Sequence, residues 1–235
     1  MKNILAAVFM LLCTFSFAQE TGGINLLSDD MVSPTSNEEA RINYNQGTDC
    51  LNNDNLEEAE IYLLKALELD PLFVDAMDHL GLVYRRQMRY EEAIAIYQKS
   101  ISINDKNYVP YMNLAIVYKL QERYEDARQE YLKIIDIDEE NPESYYGIGQ
   151  LYYDAGMYED CIQFMRIALN KYYEQESVYV FDAGYHLAYA YYNLENYEEA
   201  LKFFKFTAAY YENDQNIKDK ITELESIVNG AVIGE

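Results

Sequence analysis

One five-residue phrase recurs five times along the chain. It reads NLEEA at 55–59, RYEEA at 89–93, RYEDA at 123–127, MYEDC at 157–161 and NYEEA at 196–200. The first four copies start 34 residues apart, and the fifth starts 39 after the fourth. A fixed period of this size marks a repeat architecture, in which each unit buries its apolar face only against its neighbours. With repeats begun at Ala40, Val74, Tyr108, Pro142 and Phe181, the eighth place is always small: Gly47, Gly81, Ala115, Gly149 and Ala188. The eleventh place is Cys50, Tyr84, Tyr118, Tyr152 and Tyr191, and the twentieth is Ala59, Ala93, Ala127, Cys161 and Ala200. The twenty-fourth is large: Leu63, Tyr97, Tyr131, Met165 and Phe204. Small residues belong where two helix backbones approach, and large ones where the gap beside them is filled. The spacing of three and four is helical, so each unit reads as helix A, a tight turn and helix B. The phrase marks the turn and the start of helix B. Its acidic pair falls in the first helical turn, where the helix dipole favours negative charge, and its Tyr or Leu is placed to pack back on helix A. Asp70-Pro71 and Asn141-Pro142 punctuate the chain between repeats.

These places resemble the tetratricopeptide repeat family, whose 34-residue unit carries small residues at eight and twenty and large ones at eleven and twenty-four. The resemblance covers about residues 40–214. It departs from the family pattern at the fourth place, where no Trp occurs (Asn43, Met77, Tyr111, Tyr145, Gly184), and a Pro stands at the thirty-second place only in the first repeat. The implied fold is all-α, a right-handed α-solenoid of five helix-turn-helix repeats over 37–212, closed by a capping helix at 213–229. In that last stretch Ile217, Ile221, Leu224 and Val228 form one stripe, and Gly230 is expected to end the helix. The five-residue insertion falls within KYYEQESVYV at 171–180. It either lengthens the fourth helix B or adds a loop before the fifth helix A.

The amino-terminal end reads differently. Lys2, an apolar run from Ile4 to Phe17 and Ser16-Phe17-Ala18 before Gln19 form a secretory signal over 1–18. Leu12 is not the small residue that lipidation of Cys13 would need, so a lipoprotein is not expected. The expected destination is a bacterial cell envelope, in the periplasm or beyond, with no membrane insertion after cleavage. Residues 19–36 have no period and read as a flexible lead-in, with Ser36 and Glu39 as a capping box for the first helix. Forty-one acidic against 18 basic residues give a net charge of −23, which argues against nucleic acid as a partner. Cys50 and Cys161 read as small interior residues rather than a disulfide.

Little in the sequence carries chemistry. There is no HExxH, CxxC, glycine-rich phosphate loop or GxSxG, and the only histidines, His79 and His186, stand alone at the sixth place of repeats two and five. The acidic pairs recur at one structural place, which fits helix starts better than acid–base catalysis. Neither an enzyme, a cofactor nor a metal is expected. The family resemblance implies instead that helix A residues at places two, five, nine, twelve and thirteen line a concave, ligand-facing groove. Those residues include Glu143 and Asp182, and they gather two patches. Arg41, Arg85, Arg86 and Lys119 carry positive charge, beside Tyr44 and Met112. Tyr146, Tyr153, Tyr185, Tyr189 and Tyr192 form an aromatic wall. Arg and Tyr dominate binding hot spots. The reading is therefore an exported adaptor or scaffold that binds a peptide segment of a partner protein in its groove. Two rivals stand beside it: an envelope-glycan module stacking sugars on the Tyr wall, and self-association through the uncapped first repeat.

Overall fold

The computed structural model describes residues 35–232, so the secretory-signal reading and most of the lead-in fall outside the described residues. Among the described residues the chain forms eleven α-helices and no strand. In order these are α1 (Glu38–Asn52), α2 (Leu56–Leu69), α3 (Val74–Arg86), α4 (Tyr90–Ile103), α5 (Val109–Leu120), α6 (Tyr124–Ile137), α7 (Pro142–Asp154), α8 (Tyr158–Glu174), α9 (Val180–Asn193), α10 (Tyr197–Ala208) and α11 (Gln215–Val232). The fold class is the α-solenoid of successive helix pairs that the period predicts. The chain divides into two compact units, Met1–Arg123 and Tyr124–Glu235. The first holds α1–α5 and the second α6–α11. No helix of the described residues is long and apolar enough to cross a membrane.

The small and large places meet as the sequence requires. A Cβ built on Gly47 would lie 2.8 Å from Leu63 Cγ, one on Gly81 2.5 Å from the Tyr97 ring, and one on Gly149 2.9 Å from Met165. Each pair joins the eighth place of helix A to the twenty-fourth in helix B. Leu63, Tyr97 and Met165 are fully buried against these bare backbones. Removing a side chain of this size from water contributes about 1.5–3 kcal/mol. The acidic pair of the phrase lies in the first turn of α2, α4, α6, α8 and α10.

The turn between helices A and B is the same five times. The fifteenth residue of each repeat has a positive φ: Asp54 at 58°, Met88 at 59°, Glu122 at 59°, Gly156 at 73° and Glu195 at 58°. The next residue's N–H then bonds the carbonyl of the eleventh place, as in Asn55 to Cys50 at 2.9 Å, Arg89 to Tyr84 at 2.8 Å and Asn196 to Tyr191 at 3.0 Å. This is a left-handed cap that satisfies carbonyls left open at the helix end. The fifth repeat keeps this register despite the insertion ahead of it. The insertion takes the first of the two forms expected: it lengthens the fourth helix B, and the connection over 175–179 is no longer than that over 104–108. It carries α8 to 17 residues, against 14 for α2, α4 and α6, and leaves a short turn before α9.

Three local expectations are corrected. The cap of α1 is Asn37, not Ser36: its side chain accepts from the Glu39 and Ala40 N–H groups at 3.1 Å. Asn37 also donates to the Leu69 carbonyl at 3.1 Å, so one carboxamide serves two helix ends, which a serine hydroxyl at residue 36 does not do. The last helix runs through Gly230 to Val232, because a helical Gly needs no break when nothing turns the chain there. Cys50 is half-buried rather than interior, while Cys161 is buried, and both are free thiols. Cys50 occupies the eleventh place, at the helix edge beside the turn, where the Tyr84 and Tyr152 rings are also only half-covered.

Candidate functional site

In the first unit the helix A residues are engaged by the fold. Arg41 is exposed and pairs with Glu38 of its own helix at 2.7 Å. Tyr44 lies against Phe73, with ring centroids 4.9 Å apart, and its hydroxyl reaches His79 Nδ1 at 3.3 Å. Burial, and then the Asp75 carboxylate, push its phenol up to about 12. Arg86 donates to the Leu51 carbonyl at 3.2 Å and faces Asp54 at 3.7 Å, so it ties α3 back to the end of α1. Arg85 and Met112 are buried, and Lys119 is half-buried. Asp75, Asp78 and His79 are buried beside them. Asp78 accepts from Asn107 Nδ2 at 3.2 Å, and burial above all pushes its carboxyl up to about 7.

The second unit gathers its tyrosines around one imidazole. His186 on α9 has its ring centroid 5.2 Å from Tyr146, 5.9 Å from Tyr153 and 6.1 Å from Tyr185. Tyr185 meets Tyr189 at 4.8 Å, and Tyr189 stands edge-on to the buried Phe204 at 5.0 Å. Tyr153 and Asn193 are linked at 3.4 Å. All four rings are half-buried, so each is anchored while part of it faces solvent. Tyr192 stands apart from this group. Its hydroxyl donates to Glu223 at 2.7 Å and Lys220 lies 4.1 Å over its ring, so α11 occupies it.

Two carboxylates flank the aromatic group, both at the second place of a helix A. Glu143 faces the Tyr172 hydroxyl and is pushed by burial up to about 7. Asp182 accepts a hydrogen bond from the Tyr211 hydroxyl and is also raised by burial. Burial likewise holds the Tyr146 phenol well above its ordinary value. Both carboxylates are engaged by tyrosine hydroxyls rather than forming a free charged surface.

Sequence reasoning set His186 aside as a lone helical histidine. Its Nδ1 lies 3.0 Å from the Asp182 carbonyl and 3.4 Å from the Tyr146 hydroxyl. His79 repeats the arrangement with the Asp75 carbonyl at 2.9 Å and Tyr44. The signal was present in the sequence: a Tyr at the fifth place of one repeat and an Asp-x-x-x-His at places two and six of the next. A carbonyl can only accept, so Nδ1 carries a proton in each histidine and the phenol oxygen is its second acceptor.

The helix pairs and their half-buried aromatic face define a class, the helical-repeat scaffold for protein interaction. Profiles of the tetratricopeptide repeat match residues 40–71, 73–140, 142–170 and 182–205. The chain belongs to the tetratricopeptide repeat family, whose members bind protein partners and are generally non-enzymatic. A tetratricopeptide repeat protein from Parabacteroides merdae is similar at 22% identity and a TM-score of 0.65, over 82% of this chain and 74% of that one. The pilF protein of Pseudomonas aeruginosa is similar at 20% identity and a TM-score of 0.64, over 84% and 94%. The Cut9-Hcn1 hetero-tetramer of APC/C is similar at 18% identity and a TM-score of 0.66, over 80% of this chain and 36% of that one. At these identities the likeness is one of fold. Among curated proteins there is no match.

Proposed function

We propose that this protein is an exported, non-enzymatic adaptor that holds an extended segment of a partner protein on the helix A face of its second unit. The observation that carries the reading is the set of four half-buried tyrosines, Tyr146, Tyr153, Tyr185 and Tyr189, built around His186. Tyr offers a broad apolar face and a hydroxyl at modest entropic cost. Rings already anchored at one edge lose little freedom when a peptide covers the other, so binding energy is not spent on ordering them. The Arg cluster has the lesser role in this reading, because Arg86 is committed to α1 and Arg85 is buried. Export rests on residues 1–18.

The test is a crosslinked pull-down from envelope extract with the native protein and a Tyr185→Ala/Tyr189→Ala variant of equal helicity. Proteins captured at least tenfold more by the native face support the adaptor reading and identify its client. An identical catch from both removes the tyrosine face as the docking site, and capture of glycan alone would turn the reading toward sugar stacking. Amino-terminal sequencing of the protein from cells tests export, with Gln19 as the expected first residue.

A further inference from the structure

The insertion builds a second candidate site at the joint between α8 and α9. At the end of α8 the chain closes a helical cap: Glu176 takes a positive φ of 54°, its N–H bonds the Tyr173 carbonyl at 3.1 Å, and Ser177 N–H bonds the Tyr172 carbonyl at 2.9 Å. It then enters α9 through turns in which Val180, Phe181 and Asp182 bond back to Ser177, Val178 and Tyr179. Both ends of the connection are therefore fixed by backbone hydrogen bonds, to α8 at its start and into α9 at its end. It forms one side of an open surface depression of about 520 Å3 lined by Tyr173, Glu174, Glu176, Val178, Val180 and Phe181. That volume falls within the range of small-ligand and side-chain pockets.

The lining has two characters. Val178 and Tyr173 are large apolar side chains left 40% and 73% exposed. Phe181 supplies a fixed wall, because it is stacked between Phe206 at 5.0 Å and Tyr210 at 4.8 Å. Glu174 and Glu176 bring two carboxylates to the same place, and among the described residues no cation pairs with either. The carboxyl end of α8 adds the negative pole of the helix dipole. The basic residue of that last turn, Lys171, is already held by Glu140 at 3.0 Å. A depression that is apolar within and negative at its rim selects a partner that is the reverse.

We infer that this depression docks a short basic-apolar segment of a partner protein, an Arg or Lys beside an aromatic or aliphatic residue. The apolar side chain enters between Val178, Val180 and Phe181. The cation lies over the Tyr173 ring and between Glu174 and Glu176, where cation–π and charge-assisted contacts reinforce each other. None of its lining residues is one of the four tyrosines of the other face, and it places a partner of opposite charge on a chain of net charge −23.

The test is fluorescence anisotropy on the full chain. The probe is a fluorescein-labelled heptapeptide with Arg-Phe-Lys at its centre, compared with Glu-Phe-Glu and Arg-Ser-Lys versions. The Arg-Phe-Lys peptide should bind at least tenfold more tightly than either, and more weakly as salt rises. Tyr173→Ala/Val178→Asp should weaken it at least tenfold, and Glu174→Lys/Glu176→Lys should remove the preference for the basic peptide. All four positions are exposed, so helicity by circular dichroism should be unchanged. Tyr185→Ala/Tyr189→Ala should bind the peptide as the native protein does, even if it loses its envelope clients. Equal binding of the acidic peptide, no binding of any peptide, or loss with the Tyr185/Tyr189 variant alone would overturn the inference.

Discussion

Asp78 shows how one side chain in this fold answers to its surroundings. It is buried on α3 with Asp75 one turn before it, Ser100 and Tyr97 facing it from α4 and Asn107 reaching over from the start of α5. Its carboxyl is raised from 3.8 to about 7, so the native state keeps a proton that the unfolded chain has lost. Its contribution to stability is therefore full below about pH 4 and declines as pH rises through about 7. His79 works the other way: burial lowers its pKa, so stability falls as pH drops below its ordinary 6.5. Comparing the native protein with Asp78→Asn cancels the histidine contribution. The variant should gain on the native protein as pH rises from 4 to 8, by about 1–3 kcal/mol at the top of that range. Chemical denaturation at each pH measures it, and a gap that stays constant with pH would mean that Asp78 does not titrate in this window.

The repeated turn is the feature to test among the elements. Four of five repeats place a side chain in the left-handed region, where a Cβ costs about 1–2 kcal/mol. Only Gly156 avoids that cost, and a Cβ there would touch nothing within 4 Å. Gly156→Ala should therefore lower stability by about 1 kcal/mol through backbone strain alone. Met88→Gly, at a side chain left 74% exposed, should raise it by about 0.5–1 kcal/mol. Thermal unfolding of the two variants checks both signs, and a stabilised Gly156→Ala would contradict the account. Little of this backbone geometry was legible from the sequence, because Met88, Glu122 and Glu195 carry no preference for the left-handed region and only Gly156 signals it. What was legible was periodic: the helix pairs, the small-against-large contacts and the stripe of α11, of which Ile217 and Leu224 are fully buried. The candidate site was half legible. Register places the tyrosines on one helix A face, but it does not show that Tyr192 meets Lys220 and Glu223, which lie beyond the repeats. Nor does it show that Arg86 meets the Leu51 carbonyl, 35 residues earlier, and the Asp54 carboxylate. Local spacing reports which face a residue occupies. It does not report which neighbouring group satisfies it.

At the scale of the whole chain the dominant quantity is charge. Forty-one acidic residues against 18 basic ones repel one another in any compact state. Several of the ion pairs are local i,i+3 contacts between exposed groups, such as Arg41 with Glu38 and Lys202 with Glu199, which contribute little. Salt should therefore stabilise the protein on balance. Raising NaCl from about 10 mM to about 0.5 M shortens the screening length several-fold and should raise Tm by about 3–6 °C. A fall in Tm would show that attractive pairs outweigh the general repulsion.

The turn after α8 carries a consequence for how such a chain can change length. Because the N–H groups of residues 175–177 bond back to carbonyls of α8, and Glu195 still sits at the fifteenth place of its repeat, an insertion there is absorbed before the next helix begins. Indels at this joint are frame-neutral for the stack. The joint is where a lineage could try new loops, or an engineer splice an epitope, without renumbering the contacts of the repeat that follows.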